Sequence, residues 1–218
     1  MGRQVRAEVT RRRIIDAAVE LFGELGYGDT GLAEILHRAE VTKGAFYYHF
    51  DGKEAVASAI IDEGFQKVDA VSSAVIESSS PALENIIRAT FVVARCMESD
   101  KAVQVGKQLA QSLTQVSDRG PKVVSEWTQR FAAQVRAAIT PGDLCGDLET
   151  DEIGETVWAT VLGSHLLSDA VGDDVYPRLA RSWRVLLGGI VPQSSLPYFR
   201  DFVARTYQTY AHATLPAQ

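Results

Sequence analysis

The sequence predicts an all-α chain, and three observations carry that expectation. Apolar residues recur at helical spacing along almost the whole length, and no period-2 alternation runs beyond a few residues. Gly, Pro and Ser clusters fall between the periodic stretches, where connections are needed. Apolar residues make up 46% of the 218, enough for one large domain or a small one joined to a larger one. There is no internal repeat.

Taken in order, Ile14, Ala17, Ala18, Leu21, Phe22 and Leu25 follow the i, i+3, i+4, i+7 template, predicting an amphipathic helix that Gly26 ends. A short second helix over about 32–39 turns Leu32, Ile35 and Leu36 inward. A turn at Glu40-Val41 precedes a third helix over about 43–50. Lys53 opens a long helix through Val56, Ile60 and Phe65 that fades at Ser78-Ser79-Ser80-Pro81. Further helices are expected over about 82–97, 102–116, 121–139, 151–171, 175–190 and 196–211. Turns at Asp118-Arg119-Gly120-Pro121, Pro141-Gly142-Asp143 and Val191-Pro192-Gln193 separate several of them. The expected organisation is a helix–turn–helix domain over 1–52 and a larger helical domain over 53–218.

Composition narrows the functional classes. No apolar run approaches the roughly 20 residues that span a bilayer, and the first eight residues lack the apolar stretch of a secretory signal. Two cysteines, Cys96 and Cys145, are too few for a disulfide framework and fit a reducing cytoplasm. The net charge of −6 is unevenly spread: residues 1–50 are balanced, and the deficit lies entirely in 51–218. Arg3, Arg6, Arg11, Arg12 and Arg13 face only Glu8, a basic arm of the kind that lies over phosphates, or else an ordinary solvated terminus.

Catalytic and metal motifs are lacking. Gly26-Tyr27-Gly28-Asp29-Thr30-Gly31 matches G-x-G-x-x-G, but that fingerprint needs a preceding strand and here follows a helix. His37, His49, His165 and His212 are scattered, and the cysteines have no C-x-x-C partner, so no metal or cofactor is expected. No serine sits in a G-x-S-x-G elbow. Asp143, Asp147, Glu149, Asp151, Glu152 and Glu155 read as a solvated acidic loop and helix start. The sequence predicts no enzyme.

The decapeptide Val41-Thr42-Lys43-Gly44-Ala45-Phe46-Tyr47-Tyr48-His49-Phe50 is the most informative stretch. Two short helices joined by a tight turn place the second in a major groove. Thr42 suits the N-cap, where its hydroxyl satisfies a backbone N–H or meets a phosphate. Gly44 admits a DNA backbone to the first turn, Lys43 adds charge there, and the helix's positive pole adds to it. Tyr47 and His49 carry polar tips on aromatic bodies, whereas Phe46 and Phe50, four apart, belong to the core face. The plainer alternative is an amphipathic helix with an aromatic core face.

Residues 10–55 resemble the DNA-binding domain of the TetR family of bacterial repressors. The resemblance rests on Ile14-Ile15-Asp16-Ala17-Ala18, Leu21-Phe22, Gly26-Tyr27, Thr30, Ile35, Ala39, Val41-Thr42-Lys43-Gly44, Tyr47, His49-Phe50 and Lys53-Glu54. It implies a homodimer of two-domain helical subunits that binds a palindromic operator and releases it when a small molecule enters the larger domain. It also implies that Thr42, Lys43, Gly44, Tyr47, Tyr48, His49 and Lys53 contact DNA. Two residues depart from the family pattern: Gly31 stands where a capping Ser or Thr is usual, and Glu40 where the turn glycine is usual.

Beyond residue 55, Ser125-Glu126-Trp127 and Leu179-Ala180-Arg181-Ser182-Trp183 running on to Gly189-Ile190-Val191-Pro192 resemble the γ-butyrolactone autoregulator receptors, as does the Arg3-Gln4 start. That resemblance implies that Trp127 lines a signal pocket, a role an indole's flat wall and N–H suit, although a plain core tryptophan is the alternative. Gln108, Trp158 and His165 are further ligand candidates, each with an equally simple packing or surface reading. Two apolar stripes, Ile153-Val157-Val161 and Leu179-Trp183-Leu186-Leu187-Ile190, either build an intersubunit four-helix bundle or complete the subunit core. The expected function is a ligand-responsive repressor. The alternatives are a regulator answering drugs or no ligand, and an enzyme or carrier with a vestigial helix–turn–helix.

Overall fold

The computed structural model describes residues 2–78, 81–113, 119–138 and 149–211. They form ten helices: α1 Gly2–Asp29, α2 Leu32–Arg38, α3 Lys43–His49, α4 Lys53–Ile76, α5 Ala82–Ser99, α6 Lys101–Leu113, α7 Arg119–Ala138, α8 Thr150–Val171, α9 Val175–Ile190 and α10 Leu196–Ala211. The all-helical expectation holds, and there is no strand among the described residues. Cys145, Asp143, Asp147, His212 and the Pro141-Gly142-Asp143 turn lie outside the described residues.

Local chemistry accounts for the helix ends. Gly26 adopts φ 83, a left-handed value that breaks α1 at low cost because glycine has no Cβ. Thr30 Oγ1 donates to the Gly26 carbonyl at 2.8 Å, tying down the chain after the break. Leu25, expected on the buried stripe, is 46% exposed. The kink one residue later carries Tyr27 onto Phe22 instead, with ring centroids 5.5 Å apart. At α9, Asp174 caps the start by accepting from the Tyr176 N–H at 2.8 Å.

The chain packs as two compact units: residues 1–67 with 100–123, and residues 68–99 with 124–218. The first unit runs past 52/53 because the first half of α4, through Lys67, packs with the helix–turn–helix, and α6 joins it there. A Cβ on Gly23 of α1 would meet Val105 Cγ2 at 3.3 Å, and one on Gly106 would meet the Ile60 carbonyl at 3.1 Å. Asp100 opens α6 by accepting from the Ala102 and Val103 N–H groups, and it pairs with Lys67 Nζ at 2.8 Å. Partial burial opposes ionisation of Asp100, but Lys67 and those N–H groups outweigh it and hold the carboxyl below its ordinary range. Ile14, Ile15, Ala18, Ile35, Phe46, Val56 and Ile60 form the core of this first unit.

In the second unit, α5 is buried on nearly every side, as a helix apolar around most of its circumference must be. Ile86, Ile87, Phe91, Leu179, Trp183 and Leu187 form the centre. Trp183 Nε1 donates to Thr90 Oγ1 at 2.9 Å, so the indole is buried with its polar atom satisfied. Helices α7 and α8 approach closely at Gly154, where a Cβ would lie 2.6 Å from Ala132 Cα. Only glycine permits that backbone contact.

Candidate nucleic-acid interface and ligand site

The recognition segment is held from below by its aromatics. Phe46 and Phe50 are buried with rings 6.0 Å apart, which fixes α3 and leaves its opposite face free. Thr42 Oγ1 accepts from the Ala45 N–H at 3.2 Å, confirming it as the N-cap. On the outer face Lys43 and Gly44 are exposed at the first turn, Tyr47 and Tyr48 are exposed beyond it, and His49 is half-buried. Tyr48 is 70% exposed, a large aromatic with no structural reason to face water. A Cβ on Gly44 would meet nothing within 4 Å, so the chain itself has no need of glycine there.

Lys53 is placed differently from the other candidates. Its ammonium donates to the Tyr27 and Thr30 carbonyls at 2.7 and 2.8 Å and lies 4.3 Å from the Tyr27 ring centroid. It ties the end of α1 to the start of α4 and keeps one N–H for an outside partner.

Both sequence departures have visible compensations. Glu40 adopts φ 51, the left-handed turn conformation that usually selects glycine, at a cost of roughly 1 kcal/mol. Its carboxylate accepts from Arg13 at 2.8 Å, so the negative charge beside α3 is neutralised by the basic arm. At Gly31, which has no side chain to cap α2, Glu34 Oε2 accepts from the Gly31 N–H at 2.7 Å. That is half of a capping box. Two more arginines of the arm are engaged: Arg12 bridges Asp16 and Glu63 at 2.8 and 2.9 Å, and Arg11 lies over the Phe50 ring. Hydrogen bonds that Arg12 donates to Asp16 and then to Glu63 raise its pKa, so that guanidinium braces α1.

The ligand candidates fall in different places. Trp158 and His165, seven residues apart on one face of α8, are both 2% exposed. Trp158 packs on Phe131 with ring centroids 5.2 Å apart, and its Nε1 has no hydrogen-bond partner among the described residues. Gln108 is exposed on α6, in the first unit. Trp127 belongs to α7, but its side chain lies outside the described residues.

Val157, Val161, Leu179, Trp183 and Leu187 are each at most 2% exposed and pack inside their own subunit. The large apolar side chains left in water on the same helices are Leu166, Leu167 and Val171 of α8 and Val185 of α9. The adjacent pair Leu166-Leu167 carried a signal for this, since consecutive residues on a helix differ by about 100° and one buried face cannot take both with His165.

An anchored three-helix head presenting such a rod defines a helix–turn–helix DNA-binding protein. Residues 14–60 match the family described as bacterial regulatory proteins, tetR family, and residues 79–192 match the tetracyclin repressor-like C-terminal domain. The chain belongs to the TetR family of transcription regulators, which are not enzymes. It is 30% identical over 192 residues to the A-factor receptor protein of Streptomyces griseus, covering 87% of this chain and 67% of that one. The crystal structure of a γ-butyrolactone receptor, an ArpA-like protein, is 30% identical with a TM-score of 0.74, over 94% of this chain and 99% of that one. CprB of Streptomyces coelicolor, solved in complex with its biological operator sequence, is 31% identical with a TM-score of 0.71, over 93% and 98%. Among the described residues no helix is long and apolar enough to cross a membrane, and no cluster of His, Cys, Asp and Glu could hold a metal.

Proposed function

We propose that the protein is a ligand-responsive repressor that binds a pseudo-palindromic operator as a homodimer and is released by a small γ-butyrolactone-like or furan-type signal. One observation carries the DNA-binding part: α3 is anchored through Phe46 and Phe50 while Lys43, Gly44, Tyr47 and Tyr48 face solvent. In the groove, Thr42, Lys43, the Gly44 backbone, Tyr47, Tyr48 and His49 touch phosphates and base edges, and Lys53, which braces the frame, offers its remaining N–H to a phosphate. Gly44→Ala is expected to leave the fold intact or stabilise it by up to about 1 kcal/mol, since alanine is the better helix former. It is also expected to weaken operator binding, because the added methyl stands where the DNA backbone approaches. Melting temperature and mobility shift measured on one preparation separate the two effects.

For the ligand, support comes from the named relatives and from the buried Trp158–Phe131 pair, whose indole N–H can serve a ligand oxygen. His165 shares that helix face. Trp127 remains a proposed wall of the pocket, and Gln108 is the weakest candidate because it is exposed. Helix α4 contributes residues to both units, so ligand-dependent movement of α4 couples signal to DNA.

Two-fold pairing places two α3 rods about 34 Å apart, matching successive major grooves. Leu166, Leu167, Val171 and Val185 supply an apolar face for that pairing, with the inward stripe behind it. Leu167→Glu is expected to shift the protein to monomer in sedimentation and to lower operator affinity with it.

Selection of a random duplex library on the purified protein tests the proposal. Enrichment of inverted repeats with half-sites one turn apart is expected, and no enrichment would overturn the operator reading. Undiminished retention with saturating γ-butyrolactone would overturn the release by that signal.

A further inference from the structure

Helices α9 and α10 enclose a groove of about 300 Å³ that is lined by Arg181, Arg184, Arg200, Ala180, Val203 and Tyr207, among others. It lies wholly within the second compact unit. We propose that this groove binds a small amphipathic anion, with a phosphate- or carboxylate-type head on a flat or aliphatic body. The site is separate from the DNA-contacting helix and from the Trp158 region, and it does not depend on the function proposed above.

Spacing builds the groove. Pro177, Ala180, Arg181 and Arg184 stand at i, i+3, i+4 and i+7 on α9, and Arg200, Val203, Ala204 and Tyr207 repeat that spacing on α10. Two matched faces therefore meet, each with arginine and a small or branched apolar residue. Val203 is 1% exposed and forms the floor, while the three guanidinium groups stand in solvent at the rim.

Among the described residues none of these three arginines is in an ion pair, although the chain is acidic overall at −6. Other arginines of this unit do find carboxylates: Arg88 pairs with Glu84, Arg136 with Asp151 and Arg178 with Asp173. Asp173, the carboxylate that senses Arg181, is already held by Arg178 at 2.6 and 2.9 Å. Like charges converging over an apolar floor repel one another, and an arriving anion relieves that repulsion. Guanidinium forks match carboxylate and phosphate oxygens in pairs. Ala180, Val203 and Ala204 then take the apolar body, and the Tyr207 hydroxyl supplies one further polar contact. A volume near 300 Å³ sits at the small end of ligand pockets and suits a compact molecule rather than a folded partner.

Calorimetry on the full chain with phenyl phosphate, against phenol and inorganic phosphate, tests the proposal. Phenyl phosphate is expected to saturate at one per chain, inorganic phosphate to bind about tenfold more weakly, and phenol to give no saturable heat. The double variant Arg184→Gln, Arg200→Gln is expected to raise the dissociation constant by at least about tenfold while retaining its circular dichroism and operator binding. Ala204→Trp, which fills the groove from its side, should remove phenyl phosphate binding and spare inorganic phosphate. No saturable binding, or equal binding by the double variant, would overturn the site. Equal binding of phenyl and inorganic phosphate would reduce it to simple ion attraction. Loss of dimer in the double variant would assign these arginines to a second copy of the chain instead.

Discussion

Lys43→Ala is expected to weaken operator binding by about tenfold and to reduce the slope of log affinity against log salt by about one. The side chain is exposed on the first turn of α3, beside the N-terminal pole, and its ammonium lies 6.0 Å from the Tyr47 ring centroid. It engages no carboxylate among the described residues, so a phosphate is its natural counterion. Removing it should not cost stability, because a cation at a helix N-terminus is unfavourable to the helix itself. Filter binding at several salt concentrations, with thermal melts alongside, reads both quantities. An unchanged slope would remove Lys43 from the phosphate contacts and undercut the placement of α3 in a groove. Each neutralised phosphate releases condensed counterions, so the slope counts contacts in a way affinity alone cannot.

Trp183→Ala is expected to destabilise the protein by about 3–5 kcal/mol in urea unfolding followed by circular dichroism. Trp183 is one of the largest fully buried side chains, and its Nε1 donates to Thr90 Oγ1 at 2.9 Å. Truncation leaves a cavity against α5 and removes the partner of a buried hydroxyl. Thr90 itself donates to the Ile87 carbonyl at 2.7 Å, so its oxygen would lose its acceptor role but keep its donor bond. Trp183→Phe should cost about 1–3 kcal/mol, since most of the volume stays and only the hydrogen bond goes. A loss below about 1 kcal/mol for the alanine variant would show that the second unit closes the void by repacking. That outcome would also weaken the assignment of Trp183 to the subunit core.

Several of these features were legible before any coordinates. The helix starts at Leu32, Lys43, Lys53, Ala82 and Val175 follow from apolar period and capping residues, which act within a few positions of chain. Thr42 as N-cap and Phe46 and Phe50 as the buried pair were likewise local inferences, and the structure shows both. Lys53 shows where such reasoning stops. The resemblance implies a DNA contact for it, and the structure adds a role no resemblance announces: its ammonium donates to two carbonyls at the end of α1 and keeps one N–H besides. That partner lies more than twenty residues away, and no local pattern announces it.

What the sequence determined by itself is the helical order, the position and caps of the reading helix, and the family, because periodicity, capping and a dense run of functional residues are encoded at short range. Only the tertiary structure decided that α6 packs with the helix–turn–helix. It also turned Val157, Val161, Leu179, Trp183 and Leu187 inward while leaving Leu166, Leu167, Val171 and Val185 in water, and it set three arginines, in no ion pair among the described residues, along one groove of α9 and α10. An amphipathic stripe states that a face will be buried, not what will bury it. The covering element, and the charges that converge beside it, come from chain segments whose pairing is settled by packing over the whole unit.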